Sequence, residues 1–174
     1  LVATDIFSFK IYEVDDNGNE TLLTTVQNQA TAGSSAKINY PTITYTLDKN
    51  TNNTGTHTYK VVEKVVSGIN GVTKSSQEYK VTTTVTDNKD GTLNVAKSAN
   101  WNALDFENIY VANGSITFKG TKTIDSRRIE PGEIFEFEIK EGNSVIATAK
   151  SDATGKINYP EIKYVLNATT DNTG

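Results

Sequence analysis

A carboxylate in the segment TYKVVEK falls where strand alternation would place an apolar side chain. Side chains of a β-strand point alternately to two faces, so Glu63 shares a face with Tyr59, Val61 and Val65. An ionised carboxylate is costly to bury, so an acid in such a position is either protonated or paired. The competing interpretation is a half-exposed face on which Glu63 is an ordinary surface acid.

An asparagine shows the same pattern. In the segment LDFENIYV, Asn108 shares a strand face with Phe106 and Tyr110. A buried amide between two aromatic rings needs hydrogen-bond partners. The ordinary alternative is a local hydrogen bond of Asn108 within a turn.

A lysine is the third polar residue that falls on an apolar strand face. The segment SITFKGTKTI predicts a strand over 116–124, on which Lys122 shares a face with Ile116 and Phe118. Buried lysines are rare unless they are paired or neutral. The ordinary alternative is that the Lys122 stem packs on the apolar face while its ammonium reaches solvent.

A lysine, a glutamic acid and an asparagine form a reactive set when they share an apolar pocket. The pocket favours the neutral amine, which can attack the amide carbon, and the protonated acid. The acid then hydrogen-bonds the asparagine carbonyl and gives a proton route to the departing ammonia. The product is a Lys–Asn isopeptide bond, made in one self-directed turnover because the fold sets the effective concentration.

The amino-acid composition excludes several other classes of function. The chain has 174 residues, no cysteine and no methionine, a net charge of −4 and interspersed acids and bases. It therefore lacks disulfides and thiolate chemistry, and it shows no basic patch for nucleic acid. No apolar run approaches the roughly 20 residues of a membrane helix. The lone His57, in TGTHTY, is expected to be a solvated residue at a strand end rather than part of a Ser-His-Asp triad.

The chain contains an internal repeat. KINYPTITYTLD at 37–48 recurs as KINYPEIKYVLN at 156–167, 119 residues later, and IFSFKIYE at 6–13 recurs as IFEFEIKE at 134–141, 128 residues later. We expect a first repeat over 1–111 that lacks the opening lysine strand, and the N-terminal part of a second repeat over 112–174.

Period-two alternation dominates the sequence and predicts the fold class. Phe7, Phe9 and Ile11 alternate with polar residues, and turn signals such as DDNGN, DNKDG, EGNS and DATG separate the alternating runs. DDNGNE has neither the glycine nor the glutamate of a calcium loop in the required place, so a hairpin turn is expected. These features predict an all-β fold made of antiparallel β-sandwich repeats in tandem.

Together these segments resemble the isopeptide-containing pilin and adhesin domains of Gram-positive bacteria, in particular the streptococcal backbone-pilin type. The likeness is carried by ITFKGTKTIDSRRIEPGEIFEFEI (116–139), HTYKVVEK (57–64) and LDFENIY (104–110). It implies an Ig-like, CnaB-like sandwich in which three residues have assigned roles. These roles are Glu63 as the catalytic acid, Asn108 as the bonding amide and Lys122 as the bonding amine.

The resemblance does not predict a bond between Lys122 and Asn108 inside one domain. Glu63 and Asn108 fall in the first repeat, whereas Lys122 opens the second. Three outcomes are open. The bond is absent from this chain, the strand 116–124 of one molecule completes the first repeat of another, or the opening strand belongs to a longer parent protein.

The function implied is a structural stalk or shaft module of an extracellular, cell-wall-anchored pilin or adhesin, stabilised by isopeptide cross-links. It is not a turnover enzyme and needs no cofactor or metal. Expected partners are neighbouring repeats of the same protein, self-association by strand swapping or covalent linkage, and a host-surface ligand, without nucleic acid or membrane insertion.

The alternative is a ligand-binding adhesin domain that recognises a host glycan or matrix protein. Tyr12, Tyr40, Tyr45 and Trp101 would then form an exposed aromatic platform. The competing interpretation of these four side chains is packing between strands.

Overall fold

The computed structural model describes residues 1–64 and 69–173, so Val65, expected on the face of Glu63, lies outside the described residues. The chain forms two compact units, unit 1 (Leu1–Ile109) and unit 2 (Tyr110–Gly174). The described residues form strands and turns and contain no helix, which confirms the predicted all-β class.

Within residues 1–64 and 69–173, twelve strands make up the regular structure. They are β1 (Ser8–Val14), β2 (Glu20–Gln27), β3 (Gly55–Glu63), β4 (Val72–Thr73), β5 (Glu78–Asp87), β6 (Leu93–Lys97), β7 (Ile109–Tyr110), β8 (Ala112–Ile116), β9 (Glu136–Glu141), β10 (Ser144–Ser151), β11 (Ile157–Asn158) and β12 (Ile162–Leu166).

Unit 1 is built on a five-stranded antiparallel sheet with the strand order β2-β1-β3-β5-β6. The alternation in the sequence puts the apolar side chains of the three central strands on one face, because residues paired across strands share a face. The most buried members of this inner face are Phe9, Ile11, Tyr59, Val61, Val81 and Val85. The opposite face carries the intervening threonines and lysines.

The predicted turns connect neighbouring strands. DDNGN joins β1 to β2, and Asp15 Oδ1 there accepts the backbone N–H groups of Asn17 and Asn19 at 2.9 and 2.7 Å. This is the expected hairpin turn, in which the carboxylate serves its own loop. DNKDG joins β5 to β6 in the same way, and EGNS joins β9 to β10.

The inner face of the sheet is covered by segments of mostly irregular chain. The hydroxyl of Tyr45 hydrogen-bonds the hydroxyls of Tyr59 and Thr83 at 2.8 and 2.7 Å. Trp101 places its ring against Tyr59, with 6.2 Å between ring centroids. Phe106 packs on Phe9 at 5.0 Å. These contacts enclose the core, in which Glu63 is the one buried carboxyl group among the described residues.

Unit 2 contains two smaller antiparallel sheets, one with the order β11-β10-β9 and one that pairs β12 with β8. The predicted strand over 116–124 is wrong in extent, because β8 ends at Ile116 and the chain beyond it makes only isolated bridges such as Thr121 to Lys156. Ile116 and Phe118 remain about half exposed. A strand needs a partner along its whole length, and β12 pairs with β8 only as far as Ile116, opposite Ile162.

Candidate functional site

Glu63 is a buried acid. Glu63 is only 3% exposed. It is the last residue of β3, it lies directly opposite Phe9 of β1, and it shares the inner face with Tyr59 and Val61. The interpretation of Glu63 as an ordinary surface acid is therefore wrong. The alternation in TYKVVEK predicted this inward position correctly, because the pairing register fixes which side chains of β3 share a face.

Asn108 is brought to Glu63 by the aromatic side chain two positions before it. The ring of Phe106 packs between Phe9 and Tyr79, at centroid distances of 5.0 and 5.1 Å. The hydroxyl of Tyr79 donates to the backbone carbonyl of Asp105 and ties the same segment to β5. Asn108 then lies half-buried with its Nδ2 2.8 Å from Glu63 Oε1.

The backbone N–H of Ser75 fixes the orientation of both side chains. It points at Glu63 Oε2, 2.7 Å away, and at Asn108 Oδ1, 2.5 Å away. An N–H group can only donate, so the amide atom facing Ser75 must be the carbonyl oxygen. The amide nitrogen of Asn108 therefore faces Glu63, which accepts one hydrogen bond at each carboxyl oxygen.

This geometry corrects one detail of the expected chemistry. The pattern predicted that Glu63 would donate a hydrogen bond to the Asn108 carbonyl, whereas that carbonyl accepts from Ser75 and Glu63 contacts the amide nitrogen. The carboxyl group thus stands beside the atom that would leave as ammonia. The carbonyl oxygen, where negative charge would develop, faces a backbone donor.

Ser75 is the site residue that the sequence pattern missed. It is 4% exposed and lies in the loop between β4 and β5, outside any alternating run. Its contribution is a backbone N–H, which every residue except proline carries, so its side chain gave no signal. The Ser75 hydroxyl turns instead to the backbone N–H of Gln77, at 3.2 Å.

Lys122 lies in unit 2, while Glu63 and Asn108 lie in unit 1. Its Nζ donates to the carbonyl of Thr123 at 2.9 Å and stands 5.1 Å from the ring centroid of Phe135. Its backbone is held by Gly155, whose carbonyl accepts from Lys122 N at 2.6 Å. Gly155 has a φ of 85°, and a Cβ there would lie 2.2 Å from the Lys122 carbonyl oxygen, so only glycine fits.

His57 is not the solvated strand-end residue expected from the sequence. Its Nδ1 lies 3.0 Å from Glu13 Oε1 and its Nε2 lies 2.9 Å from the carbonyl oxygen of Asn53. Burial lowers the pKa of His57, but the hydrogen bonds to Asn53 and Glu13 and the charge of Glu13 outweigh it, so the pKa is raised overall. Both ring nitrogens face acceptors, which suits the protonated imidazole and leaves neither nitrogen for a serine.

The raised pKa of His57 predicts a pH-dependent stability. A folded-state pKa above the unfolded value adds stability that is complete below about pH 6.5 and is lost as the pH rises through the folded pKa. We expect the melting temperature of unit 1 to fall across that window and to change less in the variant His57→Gln. Thermal unfolding followed by Trp101 fluorescence between pH 5 and pH 9 checks it, and an equal fall in the variant would assign the effect to other groups.

The four aromatic residues proposed as a binding platform do not share a surface. Tyr12 pairs across strands with Lys60, whose ammonium stands 5.4 Å from its ring, on the face opposite the core. Tyr45 and Trp101 pack on Tyr59 at the inner face. The platform hypothesis is therefore wrong for this set, and Tyr45 and Trp101 have packing roles.

The fold and the site define a class of protein, an all-β module that keeps a carboxyl–carboxamide pair in its core. The chain belongs to the FctA family, described as the Spy0128-like isopeptide containing domain, which matches residues 2–111. This is a pilin-type family of Gram-positive cell-surface proteins with a structural role. No curated protein and no solved structure matches the chain.

Within the residues described, there is no helix with the length and apolar character needed to cross a bilayer.

Proposed function

We propose that unit 1 is a structural module in the stalk or shaft of a cell-wall-anchored pilin, and that Glu63 and Asn108 are the acid and the amide of an isopeptide cross-linking site. The observation that carries this proposal is the 2.8 Å contact between the buried Glu63 carboxyl and the Asn108 amide nitrogen. A carboxyl group has little reason to occupy an aromatic core unless it is paired or reactive.

The proposed reaction joins a lysine amine to the Asn108 side chain. The neutral amine attacks Cγ of Asn108, and the negative charge that develops on Oδ1 is stabilised by the Ser75 N–H. Glu63 takes a proton from the attacking nitrogen and passes it to Nδ2, which leaves as ammonia. One C–N bond breaks and one C–N bond forms, so no oxidant, metal or cofactor is required.

The amine is supplied by a repeat-opening segment of the Lys122 type. The segment 113–128 opens the second copy of the repeat and has no counterpart within the first copy. A segment of this kind placed ahead of Leu1 would give unit 1 the same order of lysine, acid and amide that the resemblance implies. A stalk of such repeats would be reinforced covalently without cysteine.

An extended chain tests this proposal. Residues 113–128 are duplicated ahead of Leu1 through a short flexible linker, and the intact mass is measured after denaturation. We expect a mass lower by one ammonia, about 17 Da, and no deficit when the added copy of Lys122 is replaced by arginine while the added copy of Lys119 is kept. An unchanged mass in a folded extended chain would exclude a cross-link supplied by this segment.

The Ser75 N–H should be needed for the reaction, and its hydroxyl should not. In the extended chain we expect Ser75→Pro, which removes the N–H, to slow ammonia loss by about 10²–10³-fold. Ser75→Ala keeps the N–H and should react at nearly the original rate. Time-resolved intact-mass measurements check this, with circular dichroism to verify folding, and equal slowing by both variants would assign the role to the hydroxyl instead.

A further inference from the structure

The side chain of Asn108 is carried by a segment without regular structure. Residues 103–108 belong to no strand, and β7 begins at Ile109. The ladder of backbone hydrogen bonds that holds Glu63 within the sheet does not extend to residues 103–108. The position of the amide relative to the carboxyl group therefore depends on contacts between this segment and side chains of the sheet.

The contacts of this segment with the sheet are of two kinds. The ring of Phe106 packs between the rings of Phe9 and Tyr79, and apolar packing of this kind is weakly directional. The hydroxyl of Tyr79 donates a hydrogen bond to the Asp105 carbonyl, and a hydrogen bond depends on both distance and angle. The packing therefore holds the segment on the sheet, and the hydrogen bond fixes its position along the sheet.

Tyr79 is held by the same sheet as the buried acid. It lies on β5 directly opposite Val61 of β3, and Glu63 follows Val61 by two residues on that strand. Asp105, whose carbonyl accepts the hydrogen bond, precedes Asn108 by three residues. The Tyr79 hydroxyl therefore links the segment that carries the amide to the strands that carry the acid.

A second phenol lies close to this hydrogen bond. Burial, with smaller contributions from Tyr79 and Asp105, raises the pKa of Tyr40 to about 12. Tyr40 is therefore a neutral phenol at physiological pH, and it adds no negative charge that would compete with the Asp105 carbonyl for the Tyr79 hydroxyl.

We propose that the hydroxyl of Tyr79 is a positioning group for the cross-linking site: by holding the Asp105 carbonyl, it keeps Asn108 Nδ2 within hydrogen-bond distance of Glu63. Tyr79 acts through the backbone and does not touch the reacting atoms. Its effect on the cross-linking rate rests on the proposed function, whereas the alignment of Asn108 is a property of the chain as it stands. Loss of one hydrogen bond should lower the population of aligned Asn108 by about 3- to 10-fold.

The side-chain amide resonances of Asn108 test the alignment directly in the full chain. They are identified in proton–nitrogen correlation spectra by their absence from the variant Asn108→Ala. We expect Tyr79→Phe, which keeps the ring, to move these resonances toward those of a free carboxamide and to speed their exchange with solvent by about 3- to 10-fold. The matched control is Tyr12→Phe, which removes the same hydroxyl from the opposite face of the sheet and should leave both unchanged.

The rate of ammonia loss in the extended chain tests the consequence for the reaction. We expect Tyr79→Phe to react about 3- to 10-fold more slowly than Tyr12→Phe at a temperature where both are folded. The proposal is overturned if the Asn108 resonances and their exchange are the same in both variants, even where Tyr79→Phe melts at a lower temperature, or if the two variants react equally fast. Absence of ammonia loss from the otherwise unmodified extended chain would refute the proposed function instead, and the resonances would still decide the positioning role.

Discussion

Replacing Glu63 by glutamine in the extended chain is expected to abolish or greatly slow the loss of ammonia, by at least about 10²-fold. Glutamine cannot take a proton from the attacking amine and return it to the leaving nitrogen. The glutamine side chain also has only one acceptor atom, its carbonyl oxygen. Two donors face this position, the Ser75 N–H and the Asn108 Nδ2. The rate is followed by intact mass at fixed temperature.

The matched control for this variant is Glu107→Gln. Glu107 is exposed and adjacent to Asn108 in sequence, so the change replaces a carboxyl group by an amide in the same way without touching the buried pair. Its rate of ammonia loss should equal that of the unmodified extended chain. If Glu63→Gln reacts as fast as Glu107→Gln, Glu63 has no part in the chemistry and the proposed mechanism is wrong.

Formation of the cross-link is expected to stabilise unit 1 strongly. The bond would close a loop of more than about 100 residues, and by analogy with a disulfide of that span it should add about 4–5 kcal/mol to the free energy of unfolding. For a unit of this size that corresponds to a rise in melting temperature on the order of 15 °C. The effect arises mainly because the closed loop restricts the unfolded chain.

This comparison of stability needs a control protein that differs only in lacking the cross-link. Replacing the added copy of Lys122 by arginine keeps the positive charge and leaves Glu63, Ser75 and Asn108 in place. Trp101 is the chain's single tryptophan and lies in unit 1, so its fluorescence reports on the unfolding of that unit. Equal denaturation midpoints for the two proteins, with the bond present in one of them, would refute a stabilising role.

Much of unit 1 could be predicted because alternation fixes the faces of a paired strand. Once β3 is recognised as a strand, Tyr59, Val61 and Glu63 must share a face, and all three are buried. The turn signals likewise identified the hairpin between β1 and β2. In these cases the information is local, since it resides in side-chain period and turn chemistry.

The parts that could not be predicted depend on long-range partners. Alternation over 116–124 indicates a face for Lys122, but it does not say that β8 ends at Ile116 with little to pair beyond it. Ser75 acts through its backbone, and the orientation of Asn108 follows from that contact alone. The contacts of His57 could not be predicted, because Glu13 and Asn53 meet it only in the folded sheet.

The most direct test of the central claim identifies the asparagine that reacts. The extended chain is digested under denaturing conditions, and the fragments are sequenced by tandem mass spectrometry. We predict a branched peptide in which the added copy of Lys122 is joined to Asn108 with the loss of one ammonia. Recovery of the Asn108 peptide unmodified and unbranched, or a branch at another amide, would contradict the proposed cross-link.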